Sequence, residues 1–574
     1  MDKKTVAHIL YELGVLFELK GDNPFKIRAY QNGARIVELL EGDIEELVRS
    51  GEITNIKGIG STLADNITEL VTTNNLKLYN EMRDSVPDGL LEMLKIPGLG
   101  PKKAYHLYKT LTVASIAELE YACKENRLLD LKGFGPKSQE NILKGIDQVK
   151  KYQGQLIYTD VYVIAQQLIQ QLTKNPAIKD ISLGGSLRRF KEVVKDIDII
   201  ASSSDPQKVM NHFVSLPEVE TIIAQGETKS SVTLRTGINV DLRVVEPDQY
   251  YYALHHFTGS KEHNTAMRHR AKSLGIKINE YGLFKGEERI KADSEEEFFK
   301  VLGLQYIPPE LRENMGEIEA AERQELPSLI NKSDIQGIFH IHTNYSDGID
   351  KLTALVEEAK KAGFKYLGVS DHSQTAVYAG GLKIGDIERQ RAEIIEFNKN
   401  NPDFYVFHGI ESDIHGDGSL DYPDEILAMF DFVIASVHSA FSITGKRATE
   451  RLLKAMENPY ITMLGHPTGR ILLGRKGYEP EVQRIIEGAR DRGVIIELNA
   501  SPYRMDLDWR YLKYAKDLGV KISINPDAHR KEELHDTALG IKAARKGWLE
   551  KQDVFNTLTV EEVKEYLAKR KEDR

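Results

Sequence analysis

Two aspartates one residue apart, Asp196 and Asp198, interleave with Ile197, Ile199 and Ile200. At the two-residue period of a strand, both carboxylates leave one face while the isoleucines fill the other. Repelling acids on one rigid edge call for a shared cation, and hard oxygen ligands suit Mg²⁺ or Mn²⁺. A third acid follows in Ile238-Asn-Val-Asp241-Leu-Arg-Val244, where apolar residues take the even positions and Asn239, Asp241 and Arg243 share the other face. Thr236-Gly237 reads as the turn of a hairpin leading into that strand. Three acids on adjacent strands can hold two ions about 3.5–4 Å apart, which clamps the attacking and leaving oxygens of a phosphoryl transfer. Upstream, residues 178–183 read as a strand ending in Gly184-Gly185, with Ser186 opening a helix. Backbone amides at Gly185, with Ser186 and Arg189 as side-chain donors, can cradle phosphate oxygens there.

Gly-Ser, nine intervening residues, Asp-x-Asp and a later strand aspartate together resemble the nucleotidyltransferase superfamily. A second stretch sharpens this: Phe257-Thr-Gly259-Ser, Asn264, Met267-Arg268 and Ile278-Asn-Glu-Tyr281 resemble family X DNA polymerases, and the likeness runs from residue 1 to about 315. It implies that Asp196, Asp198 and Asp241 bind two catalytic Mg²⁺ or Mn²⁺ ions and that Asp241 helps deprotonate a primer 3′-hydroxyl. It further implies that Gly185, Ser186 and Arg189 hold the incoming triphosphate, Phe257 and Gly259 its sugar and Asn264 the base edge, with Arg268 near the template. Four residues depart from the family pattern. His256 stands where many relatives carry tyrosine, Lys261 replaces a nucleotide-contacting acid, and Asn239 takes a place often held by arginine. Asn66 stands in place of the Schiff-base lysine of lyase-competent relatives, and an amide cannot act as that amine nucleophile. A zinc reading of His255, His256 and His263 is the weaker alternative, because the family places sugar and base contacts there.

At 574 residues the chain calls for three or four domains. The net charge of −10 excludes binding nucleic acid by bulk charge, so any DNA contact must be local. A single cysteine, Cys123, excludes an intramolecular disulfide and thiolate zinc clusters, and no apolar run approaches a membrane span. A cytoplasmic enzyme is expected. Residues 1 to about 155 show helical periodicity and one recurring pattern: an apolar residue, Gly-x-Gly and a helix start, at Gly58/Gly60, Gly98/Gly100 and Gly133/Gly135. Such turns bring backbone amides to a phosphate and position a protein on DNA without reading sequence. They resemble helix-hairpin-helix motifs. The third copy departs most, since Gln139 replaces a small residue at the helix contact. Lys26, in a basic and aromatic helix start, is a candidate for a DNA 5′-phosphate.

Beyond a charged stretch read as linker, short apolar runs alternate with helical patterns, the rhythm of a β/α barrel. Polar residues close those runs: His340, His342, Asp347, Asp371-His372, Glu411, His438, His466, Asp527 and His529. Strand C-termini carry the chemistry in such barrels. His340 and His342, two apart on a strand, face one way and can share a metal; mixed imidazole and carboxylate ligands suit Zn²⁺, Mn²⁺ or Fe²⁺. The set resembles the PHP (polymerase and histidinol phosphatase) domain. That likeness implies a distorted seven-stranded barrel in which His340, His342, Asp347, His372, Glu411, His438, His466, Asp527 and His529 hold up to three ions, Mn²⁺ or Zn²⁺, that activate water against a phosphate ester. His408, His415 and His535 lie outside the pattern.

The fold expected is multidomain α/β: a helical DNA-binding domain at 1–85, a fingers-like helical domain at 86–155, a nucleotidyltransferase palm at 156–253 and a thumb at 254–315. A linker at 316–333 and the PHP barrel at 334–574 follow. The function expected is gap filling in DNA repair on gapped or primed DNA with deoxynucleoside triphosphates, by a monomer away from membranes. A manganese-dependent 3′-5′ exonuclease, or an AP-endonuclease or 3′-end processing activity, would reside in the barrel. A nuclease with a DNA-binding palm, a non-catalytic DNA-end scaffold and a barrel acting as a small-molecule phosphatase are the alternatives.

Overall fold

The computed structural model describes residues 2–40, 43–129, 131–150 and 154–572. The chain forms two compact units, Met1–Val149 and Lys150–Arg574. Among the described residues, no helix is long and apolar enough to cross a membrane.

The first unit is helical. Helix α1 (Lys3–Leu19) begins at an Asp2 cap, and α2 (Pro24–Leu39) at Asn23, whose side chain accepts from Phe25 N with proline in the first turn. Two apolar cores follow, one around Val6, Leu10, Ile27, Leu63 and Ile67, the other around Leu16, Leu90, Leu107, Leu119 and Ile146. In each repeat the first glycine, Gly58, Gly98 or Gly133, is left-handed (φ +97°, +84° and +91°). The second glycine leads into α3 (Ser61–Thr73), α4 (Pro101–Leu111) or α5 (Pro136–Lys150). The turn thus recurs in the third copy, where buried Gln139 donates to Asn126.

In the second unit, α6 (Tyr158–Leu172) and α8 (Pro206–Val214) cover a five-stranded sheet. Its strands are β1 (Asp180–Leu183), β2 (Asp196–Ser202), β3 (Val219–Gln225), β4 (Lys229–Leu234) and β5 (Asn239–Val245), in the order β1-β2-β5-β4-β3. The short helix α7 (Gly185–Arg188) lies between β1 and β2. Along β5, Val240, Leu242 and Val244 enter the core while the odd positions face outward, the expected alternation. Helices α9 (Tyr250–Thr258), α10 (Lys261–Ser273) and α11 (Glu295–Val301) and the antiparallel strands β6 (Lys277–Asn279), β7 (Gly282–Lys285) and β8 (Glu288–Ile290) follow.

The stretch 316–333, expected as linker, is instead built into the core. Helix α12 (Glu317–Arg323) buries Ile318 and Ala321 with Phe298 and Phe299, and fully buried Glu317 pairs with His263 Nδ1 at 2.6 Å. Its other charged residues, Glu319, Glu322 and Arg323, face water and mask an apolar stripe of Ile318, Ala320 and Ala321 too short to read as a helix.

Seven parallel strands follow in chain order: β9 (Gly337–Ile341), β10 (Tyr366–Val369), β11 (Tyr405–Asp413), β12 (Phe432–Ser436), β13 (Met463–Leu464), β14 (Ile495–Asn499) and β15 (Ile522–Asn525). Helices α13 (Leu352–Ala362), α14 (Ile384–Asn400), α15 (Gly445–Ala455) and α16 (Val482–Arg492) alternate with them, and α17 (Thr537–Lys546) follows β15. The strands are buried on both faces, so they read as continuous apolar runs. Backbone bonds His342 N to Ala528 O (2.9 Å) and Ala528 N to His340 O (3.2 Å) join the first strand's end to the chain beyond the seventh and nearly close the barrel. Phe339, Tyr366, Phe407, Phe432 and Phe555 fill its interior.

Candidate functional site

The sheet brings the three palm acids together by register. Asp198 on β2 lies opposite Asp241 on β5, and Asp196 opposite Asn239. Burial first, then repulsion from Asp196 and Asp241, pushes the Asp198 carboxyl up from 3.8 to about 6. Asp241 is occupied: Ser231 Oγ donates to it at 2.5 Å and Lys229 Nζ lies 2.7 Å away. Neither neighbour was anticipated, although both lie on the odd-numbered face of β4 and were legible from its alternation. Asn239 accepts from Thr233 Oγ1 and so turns away from Asp241.

The glycine pair is packed against these acids. Gly185 is left-handed (φ +57°), and a Cβ there would stand 2.0 Å from Asp198 Oδ2. At Gly184 a Cβ would meet Ile200, the Phe257 carbonyl and Asp198 Cβ, so the turn sits between the palm acids and the thumb. Ser186 is half-buried in α7. Arg189, expected as a phosphate donor, already has partners. Its Nε donates to Glu313 Oε1 (3.1 Å) and its Nη1 to the Thr258 carbonyl.

Thumb residues gather beside the turn. Gly259 (φ +71°) precedes a cis peptide to Ser260 and lies against the Arg189 guanidinium. Phe257 packs under Arg243, whose guanidinium is 4.1 Å from the ring centre. Asn264 Nδ2 donates to His256 O (2.7 Å), while its Oδ1 is buried without a hydrogen-bond partner. Arg268 and Lys261 are exposed. His255 stacks on Phe298 and His263 pairs with Glu317, so the three histidines do not converge as ligands.

In the helical unit, Lys26 folds back onto Asp22 (2.8 Å) and the Phe17 ring (3.7 Å). Asn66 donates to Tyr30 OH at 2.5 Å. Ideal Cβ atoms at Gly60, Gly98, Gly100, Gly133 and Gly135 would meet nothing within 4 Å, leaving those backbone turns open. Gly58 differs, since a Cβ there would meet Ile36 at 2.5 Å.

The barrel mouth is far denser. Four overlapping groups have all ligand atoms within 4.8 Å: His342/Asp347/His372/His529, His340/His466/Asp527, His340/His342/Glu411 and His372/Glu411/His438. Glu411 is the hub, with Oε1 3.1, 3.2 and 3.0 Å from His340, His438 and His466, and Oε2 2.9 Å from His372 Nδ1. His340 and His342 do share neighbours, both reaching Asp527 Oδ1 (3.4 and 3.2 Å). Strand alternation is not the cause: β9 is irregular between Ile338 and Ile341, and His340 is left-handed (φ +59°).

Burial, with His529 and His372 beside His342 and Arg504 beside His466, favours the neutral imidazole, and His342 falls to about 3 and His466 to about 4. At His340, His372 and His438, Glu411 and its fellow acids outweigh burial and raise them. Asp347, Glu411 and Asp527 are held well below the carboxylate range despite burial. His340 Nε2, Asp347 Oδ2 and Glu411 Oε2 are buried close to neighbouring imidazoles or carboxylates but make no well-aligned hydrogen bond, as atoms aimed at metal ions would. The donors fit divalent cations.

A supporting layer was not foreseen. Glu497 meets His340 Nδ1 at 2.5 Å and accepts from His466 N and Asn525; Asp413 meets His438 Nδ1 at 2.6 Å. Such partners fix which nitrogen faces the metal. Glu497 interrupts an apolar strand run as Glu411 does, so the signal was present. Asp371 shapes the loop carrying Asp347 by accepting from Thr343 and Ser346. His408, His415 and His535 pair with Gln390, Asp421 and Glu358 instead.

Four families match parts of the chain: a helix-hairpin-helix domain at 1–76, a SAM-like helix-hairpin-helix tandem at 90–147, the DNA polymerase beta thumb at 253–313 and the PHP domain at 339–501. The DNA polymerase/3′-5′ exonuclease PolX of Bacillus subtilis (strain 168) is 38% identical over 573 residues, 99% of this chain and 100% of that protein. A probable phosphatase of Thermoanaerobacter sp. (strain X514) is 28% identical over 249 residues, 40% of this chain and 94% of its own. One from Caldicellulosiruptor bescii is 30% identical over 210 residues, 34% of this chain and 80% of its own.

Proposed function

Because the chain belongs to the family X DNA polymerases with a PHP domain, the family of the DNA polymerase/3′-5′ exonuclease PolX, we propose that it fills short gaps in DNA during repair and trims 3′ ends at a second site. The observation that carries this reading is Asp198 facing Asp241 across adjacent strands beneath the Gly184-Gly185 turn, in a chain that also holds the barrel cluster. Residues 1–85 and 86–155 grip DNA, 156–253 carry the transfer, 254–315 select the nucleotide and 334–574 hydrolyse.

Asp196, Asp198 and Asp241 would hold two Mg²⁺ or Mn²⁺ ions, which would supply positive charge for the phosphoryl transfer. Asp241 accepts the primer hydroxyl proton once Lys229 and Ser231 release it. Gly185 and Ser186 hold the triphosphate through amide and hydroxyl donors, and Arg189 adds a guanidinium. Phe257 and Gly259 bound the sugar, Asn264 meets the base edge and Arg268 lies toward the template. The Gly58, Gly60, Gly98, Gly100, Gly133 and Gly135 turns hold flanking phosphates, and Lys26 a 5′-phosphate.

In the barrel, His340, His342, Asp347, His372, Glu411, His438, His466, Asp527 and His529 would hold up to three Mn²⁺ or Zn²⁺ ions, which would supply Lewis-acid activation of water for phosphodiester hydrolysis. Glu497 and Asp413 keep His340 and His438 oriented. The enzyme works as a cytoplasmic monomer. A second reading, a barrel that hydrolyses small phosphate monoesters or processes abasic sites and damaged 3′ ends, draws support from the probable phosphatases that match this region.

A labelled primer on gapped DNA with Mg²⁺ or Mn²⁺, with and without deoxynucleoside triphosphates, tests both activities on one gel. Wild type should lengthen the primer with nucleotides and shorten it without them. Asp198→Ala should lose only lengthening; extension at the wild-type rate in that variant would sink the palm assignment. Persistent shortening in well-folded His342→Ala and His340→Ala, abolished in Asp198→Ala, would move the nuclease to the palm.

A further inference from the structure

One buried lysine of the barrel grips the palm's phosphate-binding turn. Lys546, the last residue of α17, has a side chain with no exposed surface. Its Nζ donates to Arg189 O at 2.8 Å, Glu310 O at 3.3 Å and Glu313 Oε1 at 2.7 Å. Glu313 Oε1 also accepts from Arg189 Nε, and its Oε2 lies 3.1 Å from Lys191. One ammonium therefore holds the main chain of Arg189 directly and its guanidinium through Glu313. The Trp509 ring, 4.3 Å from Nζ, closes the site from the barrel side.

Burying an ammonium is costly unless its partners are well placed. Burial pulls Lys546 down to about 8, with Glu313 opposing the shift. Glu313 itself, though buried, is held at about 2 by Lys546, Arg189 and Lys191. One turn earlier, Lys542 sits over the Tyr162 and Phe190 rings and donates to Tyr158 OH at 3.1 Å. Lys542 thus touches the neighbour of Arg189 without touching Arg189 or Glu313, and it serves as a matched control.

We propose that Lys546 and Glu313 are positioning residues of nucleotide transfer, through which the barrel domain sets the Arg189 guanidinium that receives the triphosphate. This rests on the reading that Arg189 meets the triphosphate. Fixing a guanidinium in advance removes an ordering cost from nucleotide binding, so its loss falls on KM. Mere domain adhesion would instead lower stability and both activities together.

The test is steady-state gap filling by full-length Lys546→Met, Glu313→Gln, Lys542→Met and Arg189→Ala, with 3′ shortening and thermal unfolding measured on the same preparations. Lys546→Met and Glu313→Gln should each raise KM for the deoxynucleoside triphosphate about tenfold, with kcat within about twofold and shortening unchanged. In the Arg189→Ala background neither should add a further effect, since both act through that guanidinium. Lys546→Arg should recover much of the loss, and Lys542→Met should lower stability without a selective KM change. An Arg189→Ala enzyme with unchanged KM would remove the underlying reading. A raised KM in Arg189→Ala with unchanged KM in Lys546→Met would overturn the inference alone, as would proportional loss of both activities. If Lys546→Met does not fold, Glu313→Gln decides, and an unchanged KM there overturns the proposal.

Discussion

Asp198→Asn is expected to end nucleotide addition and, in the presence of a chelator, to stabilise the protein. Asp198 is partly buried beneath Gly185, and burial together with Asp196 and Asp241 lifts its carboxyl from 3.8 to about 6. A shift of about 2 units corresponds to roughly 3 kcal/mol, at about 1.36 kcal/mol per unit. A carboxyl harder to ionise in the folded protein than in the unfolded chain costs stability. That cost begins above the unfolded value near 3.8 and is complete above about 6. Asparagine never ionises and escapes it. Urea unfolding in EDTA at several pH values should show wild type losing stability relative to Asp198→Asn as pH rises from about 4 to 7, with a gap of up to roughly 3 kcal/mol at pH 8. Adding Mg²⁺ should narrow or reverse the gap, because the ion binds the native carboxylates and not the amide. A variant no more stable than wild type at pH 8, or a gap independent of pH, would refute the repulsion argument.

Gly185→Ala should reduce extension at least about a hundredfold, because its Cβ would fall 2.0 Å from Asp198 Oδ2 at a left-handed backbone position; primer shortening on the same gel should survive. Glu411→Gln should empty the barrel, since one carboxylate joins His340, His372, His438 and His466; metal content by elemental analysis and 3′ shortening should fall together while extension persists. Borohydride trapping on a 5′-deoxyribose-phosphate substrate should yield little adduct, because Asn66 is an amide bound to Tyr30 and Lys26 is engaged by Asp22. A strong adduct that vanishes in Lys26→Ala would make that lysine a catalyst.

How far the sequence could be read depended on whether a residue's partners were local. Val240, Leu242 and Val244 alternate with Asp241 because one face of β5 is buried, so period two revealed strand and acid together. The barrel acids and histidines each close an apolar run, which put them at strand ends without any knowledge of the sheet. Arg189 reads from its neighbours as a phosphate donor, but its partner Glu313 lies 124 residues away. No local pattern announces such a pair. The stretch at 316–333 misled for a related reason, since Glu317 is charged in sequence yet is fully buried against His263. His340 and His342 came together as expected, though through a left-handed residue rather than strand geometry.

The two proposed metal centres hold charge in opposite ways, and this bears on how each is filled. In the barrel, Glu411, Asp347, Glu497 and Asp413 sit against His340, His372 and His438 and raise their hold on protons, which offsets the acids' charge before any cation arrives. Metal entry there must expel those protons, which makes uptake weaken as pH falls and leaves a bound ion enclosed by buried ligands. In the palm, Lys229 reaches Asp241 alone, and Asp196 and Asp198 face each other's charge. Arg243 and Lys229 offset only part of the repulsion at Asp198, whose carboxyl stays above its ordinary value. An ion arriving with a triphosphate would meet carboxylates whose repulsion is only partly offset, a site it could enter and leave within one turnover. Ions held among the barrel's buried ligands would exchange slowly. A brief chelator wash should therefore strip extension before it strips 3′ shortening, and the reverse order would mean that enclosure, not charge, is the wrong basis for ranking the two sites.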